Sequence, residues 1–311
     1  MKKYAIGADV GGSHISCAVI NLESKEVLEG TLTSEAVDNK ASADEVIAKW
    51  SLALSRAMAM VDASELAGIG FAMPGPFDYP KGIALFTEQN DKFEKLYNVN
   101  VAEALVNSLK LDSVEMVRFM NDATAFAVGE SWFGHAKDFD RSLSITLGTG
   151  FGSAFLANGV PVVEGAEVPD MGCVWHLPFM EGIADAYFST RWCTKRYAEL
   201  SGREVRGVKE IAELVPADSY AAQVFNELGC NLATFLSPWL TRFGAKALVI
   251  GGNIAKAYPF FEKPLNATFA QQGVVVEVFV SNLMEEAALV GSAKLFDDSF
   301  WGEVQPLLSK M

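Results

Sequence analysis

The chain opens with short apolar runs set apart by glycine. Tyr4–Asp9 is an apolar run closing on an acidic residue, Gly11-Gly12-Ser13 follow, and Ile15–Ile20 makes a second run. Two such runs split by glycines predict a β-hairpin, with glycine where the backbone must turn tightly. Val27–Thr33, after a turn at Lys25 and Glu26, reads as a third strand. From Ser42 the period changes. Val46, Trp50, Ala53 and Leu54 recur at helical spacing, and Ser42 with Glu45 three residues on is a capping-box pattern, so 42–61 reads as a helix. Gly68–Met73 is a strand ending on Pro74-Gly75-Pro76, a loop containing Asn90 leads to a helix over Val101–Leu109, and Val114–Met120 is a further strand.

A second block starts at Asn121-Asp122, with a helix running through Val128 to about Trp132. Leu143–Leu147 is a strand, Gly148-Thr149-Gly150 a turn and Phe151–Leu156 a returning strand, echoing the N-terminal hairpin. The echo suggests an internal duplication, although the halves share little beyond these hairpins. Phe225, Leu228, Leu232, Phe235, Leu236 and Trp239 line one face of a long helix. Ala247–Ile250 is a buried strand closing on Gly251-Gly252, Val274–Val280 a late strand and Glu285–Phe296 a last helix. Alternating strands and helices make this an α/β chain.

Composition narrows the function classes. The chain has 311 residues, half of them apolar and 21% charged, enough for two ordinary domains. A formal charge of −14 argues against a nucleic-acid partner, since no basic field offsets phosphate repulsion. No N-terminal apolar stretch is long enough for a signal peptide, and no run spans a membrane, so a cytoplasmic protein is expected. Cys17, Cys173, Cys193 and Cys230 lack metal-type spacing and read as free thiols. His14, His135 and His176 lie far apart.

Several clusters could carry chemistry. The two glycine turns can present N–H groups to anionic oxygens, a nest for phosphates; the plain alternative is a pair of tight β-turns. Asp9 beside the first turn can hold Mg²⁺ through waters, or simply cap the turn. Asp122 after Asn121 can be a helix N-cap, or a base that takes the proton of an attacking hydroxyl while Asn121 bonds neighbouring ones. Gly251-Gly252-Asn253-Ile254 is a turn with room for a flat ring, or a plain glycine turn.

Taken in order, Asp9–Ser13, Met73–Pro76, Asn121–Ala125, Leu147–Gly152 and Ile250–Ile254 resemble the motifs of the ROK family of sugar kinases and sugar-responsive repressors, in the actin-like ATPase superfamily. Each motif is weak alone, but five in sequence over nearly the whole chain are specific. The resemblance implies two actin-like (ribonuclease H-like) α/β domains with mixed sheets facing a central cleft. The smaller would span 1–120 plus about 297–311, and the larger 121–296. It implies transfer of the γ-phosphate of ATP to a hexose or hexose derivative, usually at the 6-hydroxyl. Asp9, Gly11, Gly12 and Ser13 would meet the phosphates and Mg²⁺, with Gly148, Thr149 and Gly150. Gly251, Gly252 and Asn253 would pack on the adenosine. Gly75, Asn90, Asn121 and Asp122 would hold the sugar, Asp122 acting as base. A homodimer is implied by the resemblance alone.

The departures fall in the sugar half. Family members usually carry Glu-x-Gly-His, whose Glu and His bind sugar hydroxyls; here Asp170-Met-Gly-Cys173 stands in its place, or Glu167 and His176 reach the same space through a reshaped loop. The family's Cys-rich zinc loop is absent. His176–Asp185 occupies its position without cysteines, so no structural zinc is expected, and Trp175, Phe179 and Tyr187 are the candidates to hold the loop by packing. Asp185 aligns with a Glu that often completes the sugar site. A sugar-binding sensor without kinase activity is the alternative function.

Overall fold

The computed structural model describes residues 2–90 and 92–311. The opening runs form β1 (Tyr4–Val10) and β2 (His14–Asn21), antiparallel, with Val10 opposite Ile15 and Gly11–Ser13 in the turn. Next come β3 (Thr33–Ala36), α1 (Ala43–Met58) and β4 (Leu66–Met73). A small hairpin, β5 (Phe77–Asp78) with β6 (Ile83–Ala84), precedes α2 (Val101–Leu109), β7 (Val117–Asn121) and α3 (Asp122–Trp132). The sheet order β3-β2-β1-β4-β7 sets β1, β4 and β7 parallel and adjacent. Nearly every residue of β1 and β4 is buried, as expected of parallel strands covered on both faces.

The second block supplies β8 (Arg141–Leu147), β9 (Phe151–Ala157), the two-residue β10 (Val160–Pro161) and a hairpin of β11 (Pro178–Phe179) and β12 (Gly182–Ile183). Helices α4 (Thr190–Ser201), α5 (Val208–Leu214) and α6 (Ser219–Phe243) lead to β13 (Ala247–Gly251), α7 (Tyr258–Gln271) and β14 (Glu277–Val280). Here β9 and β8 form an antiparallel hairpin, and β8, β13 and β14 run parallel. That is the topology of β2, β1, β4 and β7 repeated, three-residue turn included. The duplication suggested by the hairpins therefore extends through the parallel strands. The chain then ends with α8 (Glu286–Ala293) and α9 (Asp298–Val304).

Two compact units result. One holds the residues up to Lys137 with Gly159–Pro161 and Glu285–Met311; the other holds Asp138–Asn158 and Val162–Met284. The expected division at 120/121 and about 296/297 differs by a helix at each crossing. Packing explains the difference: α3 lies on β4, β7 and α8, and α8 lies on β1 and β4. Helix α8 approaches the sheet backbone to backbone, and a Cβ on Gly7 would come within 1.9 Å of Leu289 O. Only glycine admits that contact.

Local patterns hold where the sequence specifies them closely. Ser42 and Glu45 form the reciprocal capping box at the start of α1. The third strand is an exception, because the chain turns at Gly30 (φ 77) and strand pairing resumes only at Thr33. Within 27–31, Val27 bridges Ile20 and the Thr31 hydroxyl accepts from Val19 N–H at 3.1 Å. The cysteines are free thiols, and no helix among the described residues is long and apolar enough to cross a membrane.

Candidate functional site

In the first unit the predicted residues gather where β1, β4 and β7 end. Asp9 is opposite Ser16 on β2 and level with Ala72 on β4, and Met73 is level with Asn121 on β7. Loops at the carboxyl ends of parallel strands are where α/β folds bind ligands. The Asn121 side chain is the N-cap of α3: its Oδ1 accepts from Thr124 N–H at 3.1 Å. Its Nδ2 donates to the buried Tyr79 hydroxyl at 3.3 Å, and that hydroxyl donates to Met73 O at 3.1 Å. Asn121 thus joins the end of β7 to the loop after β4 that carries Gly75. With the cap filled, Asp122 starts the helix proper. Its Oδ1 accepts from Ala123 N–H at 2.8 Å, leaving Oδ2 uncommitted among the described residues.

The turn between β1 and β2 is closed by Gly11 N–H donating to His14 O at 2.9 Å. Asn39 holds it from the side, donating through Nδ2 to Gly12 O. Neither Gly12 N–H nor Ser13 N–H meets a backbone acceptor among the described residues. Beside them the half-buried Asp9 carboxylate has no hydrogen-bond donor or cation partner among the described residues. Loss of water pushes its carboxyl from an ordinary 3.8 up to about 7, and repulsion from Asp122 and then Glu285 adds to the rise. An unpartnered carboxylate beside open N–H groups fits a divalent cation accompanying phosphate. No three His, Cys, Asp or Glu side chains among the described residues converge into a metal cage, so such a cation would keep most of its water.

In the second unit, Gly148-Thr149-Gly150 forms the corresponding turn, closed by Gly148 N–H donating to Gly150 O at 3.0 Å. Thr190 supports it twice, donating to Gly148 O from its N–H at 2.8 Å and its hydroxyl at 3.0 Å. Asp185 Oδ1 accepts the N–H of Phe151, the residue after the turn, at 2.8 Å. Gly251 is level with Thr146 on β8, and Gly252 (φ 81) presses on the backbone just before the turn. A Cβ at Gly252 would lie 2.4 Å from Leu147 O, so conformation and contact both require glycine. Exposed Asn253 opens the helical turn after it, its Oδ1 accepting from Lys256 Nζ at 2.9 Å.

The remaining predicted sugar residues are dispersed. Asn90 ends a short 3₁₀ turn, its Oδ1 bound by Thr87 N–H at 2.8 Å. Glu167 pairs with Arg141 at 2.7 Å, and that guanidinium stacks 4.1 Å from the centroid of Phe243. Asp170 is exposed on a 3₁₀ turn, while His176 Nδ1 is 3.8 Å from Cys173 Sγ. Burial pushes the Cys173 thiol up to about 11, which keeps it neutral.

The segment replacing the cysteine-rich loop is held by rings. Phe179 lies 5.3 Å from each of Tyr187, Phe188 and Phe235. Trp175, expected among them, is 42% exposed and touches the His176 ring instead. Sequence reasoning missed Tyr79, Thr190 and Glu285. Their only signal was position: a hydroxyl shortly after Gly75, a hydroxyl after the loop aromatics, and an acid opening the helix that returns to the first sheet.

Comparison with known proteins bears on the whole chain. A glucokinase of Thermotoga maritima is 24% identical over 328 aligned residues, covering 97% of this chain and 99% of that protein. An N-acetyl-D-glucosamine kinase of Haemophilus influenzae is 24% identical, covering 93% of this chain and 98% of its own length. Among solved structures, a ROK family glucokinase from Streptomyces griseus in complex with glucose and AMPPNP superposes with a TM-score of 0.74. It is 22% identical and covers 94% of this chain and 98% of its own. The paired α/β sheets described above are the fold of these sugar kinases. The family model for ROK matches residues 5–299, and with the motifs standing at the strand ends where the fold requires them, the chain belongs to the ROK family.

Proposed function

We propose that the protein phosphorylates a hexose or hexose derivative at its 6-hydroxyl, with ATP as donor and Asp122 as base. The carrying observation is the division of labour at the start of α3, where Asn121 caps the helix and frees Asp122 Oδ2. Family membership and relatives named for sugar phosphorylation support the reading. In it, the attacking hydroxyl passes its proton to Asp122 Oδ2. Gly75, Asn90 and Asn121 position the sugar, with Glu167, Asp170 or His176 contributing from the rebuilt loop.

Backbone N–H groups of Gly12 and Ser13, and of Thr149 and Gly150, take the phosphate oxygens, Asp9 holds Mg²⁺ through water, and Gly251, Gly252 and Asn253 border the adenosine. The nucleotide supplies the transferable phosphoryl group and the metal neutralises its charge. The 173–190 segment, packed by Phe179 and its neighbours, does without structural zinc. The setting is cytoplasmic and the assembly a homodimer.

Asp122→Ala is expected to lower sugar-dependent ADP release by about a thousandfold or more, with ATP binding retained. Release near the wild-type rate would remove Asp122 from the mechanism. Glucose, mannose, allose, fructose and the N-acetylhexosamines are the sugars to compare. Hexose binding without ADP release from the wild type would favour a sensor instead, a reading motivated by Glu167 being engaged with Arg141.

A further inference from the structure

The turn carrying Gly148, Thr149 and Gly150 is anchored on the side of the 185–190 segment. Two of its polar groups point that way: Gly148 C=O, which accepts twice from Thr190, and Phe151 N–H, which Asp185 Oδ1 accepts. Phe151 is 3% exposed, so without Asp185 its N–H would lose a charged acceptor in a place water barely reaches. Asp185 is itself held in place. Its N–H donates to Trp175 O at 3.0 Å, and Arg191 Nη2 contacts its Oδ2 at 3.0 Å. That arginine is largely exposed, so the ion pair adds little and the bond to Phe151 N–H is the stronger constraint. Contact is close enough that a Cβ on Gly150 would fall 3.0 Å from Asp185 Oδ1.

We infer that Asp185, with Thr190, is a positioning residue for the second phosphate turn. The inference rests on the kinase reading for its consequence on ATP, but the placement itself can be measured without any ligand. Asp185 Oδ1 is committed to Phe151 N–H, while Oδ2 meets only the exposed Arg191. Rigid support matters here because backbone donors act on phosphate only when their directions are fixed beforehand.

Hydrogen exchange of the ligand-free protein, read on peptides spanning 147–153, tests the placement directly. In Asp185→Ala the Phe151 amide is expected to exchange at least about tenfold faster; Asp185→Asn, which keeps an Oδ1 acceptor, should stay near wild type. In steady-state kinetics, Asp185→Ala should raise KM for ATP about tenfold and lower kcat, leave KM for the sugar within about twofold, and be largely rescued by Asp185→Asn. Thr190→Val, which deletes only the hydroxyl, should shift ATP binding in the same direction by less. It serves as the second variant if Asp185→Ala does not fold.

Unchanged exchange at Phe151 in a folded Asp185→Ala protein overturns the inference. So does a rise in sugar KM with ATP KM unaltered, which would put Asp185 on the sugar. If the wild type releases no ADP with any sugar, the kinase reading falls, and the exchange result still decides the role of Asp185.

Discussion

Asp9 combines a half-buried carboxyl, no donor partner among the described residues and two acidic neighbours, and this has a measurable cost. Its carboxyl titrates near 7 in the folded protein and near 3.8 when the chain is exposed. Between those values the folded state keeps a proton that the unfolded chain releases. The resulting stabilisation is full below about pH 4 and is lost as pH rises through about 7. Ligand-free wild type should therefore lose Tm relative to Asp9→Asn between about pH 5 and about pH 8, measured by calorimetry; a difference independent of pH would refute this account. The pairing of Asn121 and Asp122 shows how far residue types can be read. Their place at a strand-to-helix junction was legible, and so was the pair of candidate roles, cap and base. Which residue takes which role is set by where the helical dihedrals begin, and residue types do not fix that. Glu285 was illegible for another reason: it reaches Asp9 only because α8 folds back across the first sheet.

Among the elements, the two glycine hairpins share a three-residue turn but are braced differently. Asn39 holds the first; Thr190, Asp185 and Gly252 hold the second. Replacing Gly252 with Ala would force a side chain into left-handed backbone and against Leu147 O. The expected loss is about 2–4 kcal/mol of stability, with weakened nucleotide binding, read by thermal unfolding and by titration with AMPPNP. A variant with both properties unchanged would show that the turn tolerates the crowding. Elements with strong periodicity or explicit caps were legible: α1 with its capping box, α2, and the β1–β2 and β8–β9 hairpins all stand where the pattern put them. Val27–Thr33 was misread because alternation alone does not reveal that Gly30 adopts positive φ. In the rebuilt loop the aromatic count was informative, yet which rings turn inward depended on contacts with α6 through Phe235.

At the scale of the whole molecule, each unit has its own five-stranded sheet, and four strands of each share one order, an antiparallel pairing followed by two parallel ones. The units differ in how the chain builds them. The second is completed by residues up to Met284, whereas the first recruits α8 after the whole second unit has been made. Since α8 rests on the backbone at Gly7, β1 lacks that cover until Glu286–Ala293 arrives, although α3 already lies on β4 and β7. Synthesis from the N-terminus therefore reverses the apparent order of assembly: the half translated first matures last. Ribosome-stalled chains from which residue 284 has just left the exit tunnel should yield a protease-resistant fragment from the second unit while residues 1–137 are digested. Protection of the earlier residues should appear only once residue 293 has left the exit tunnel, and resistance of 1–137 in the shorter chain would show that its sheet closes without α8.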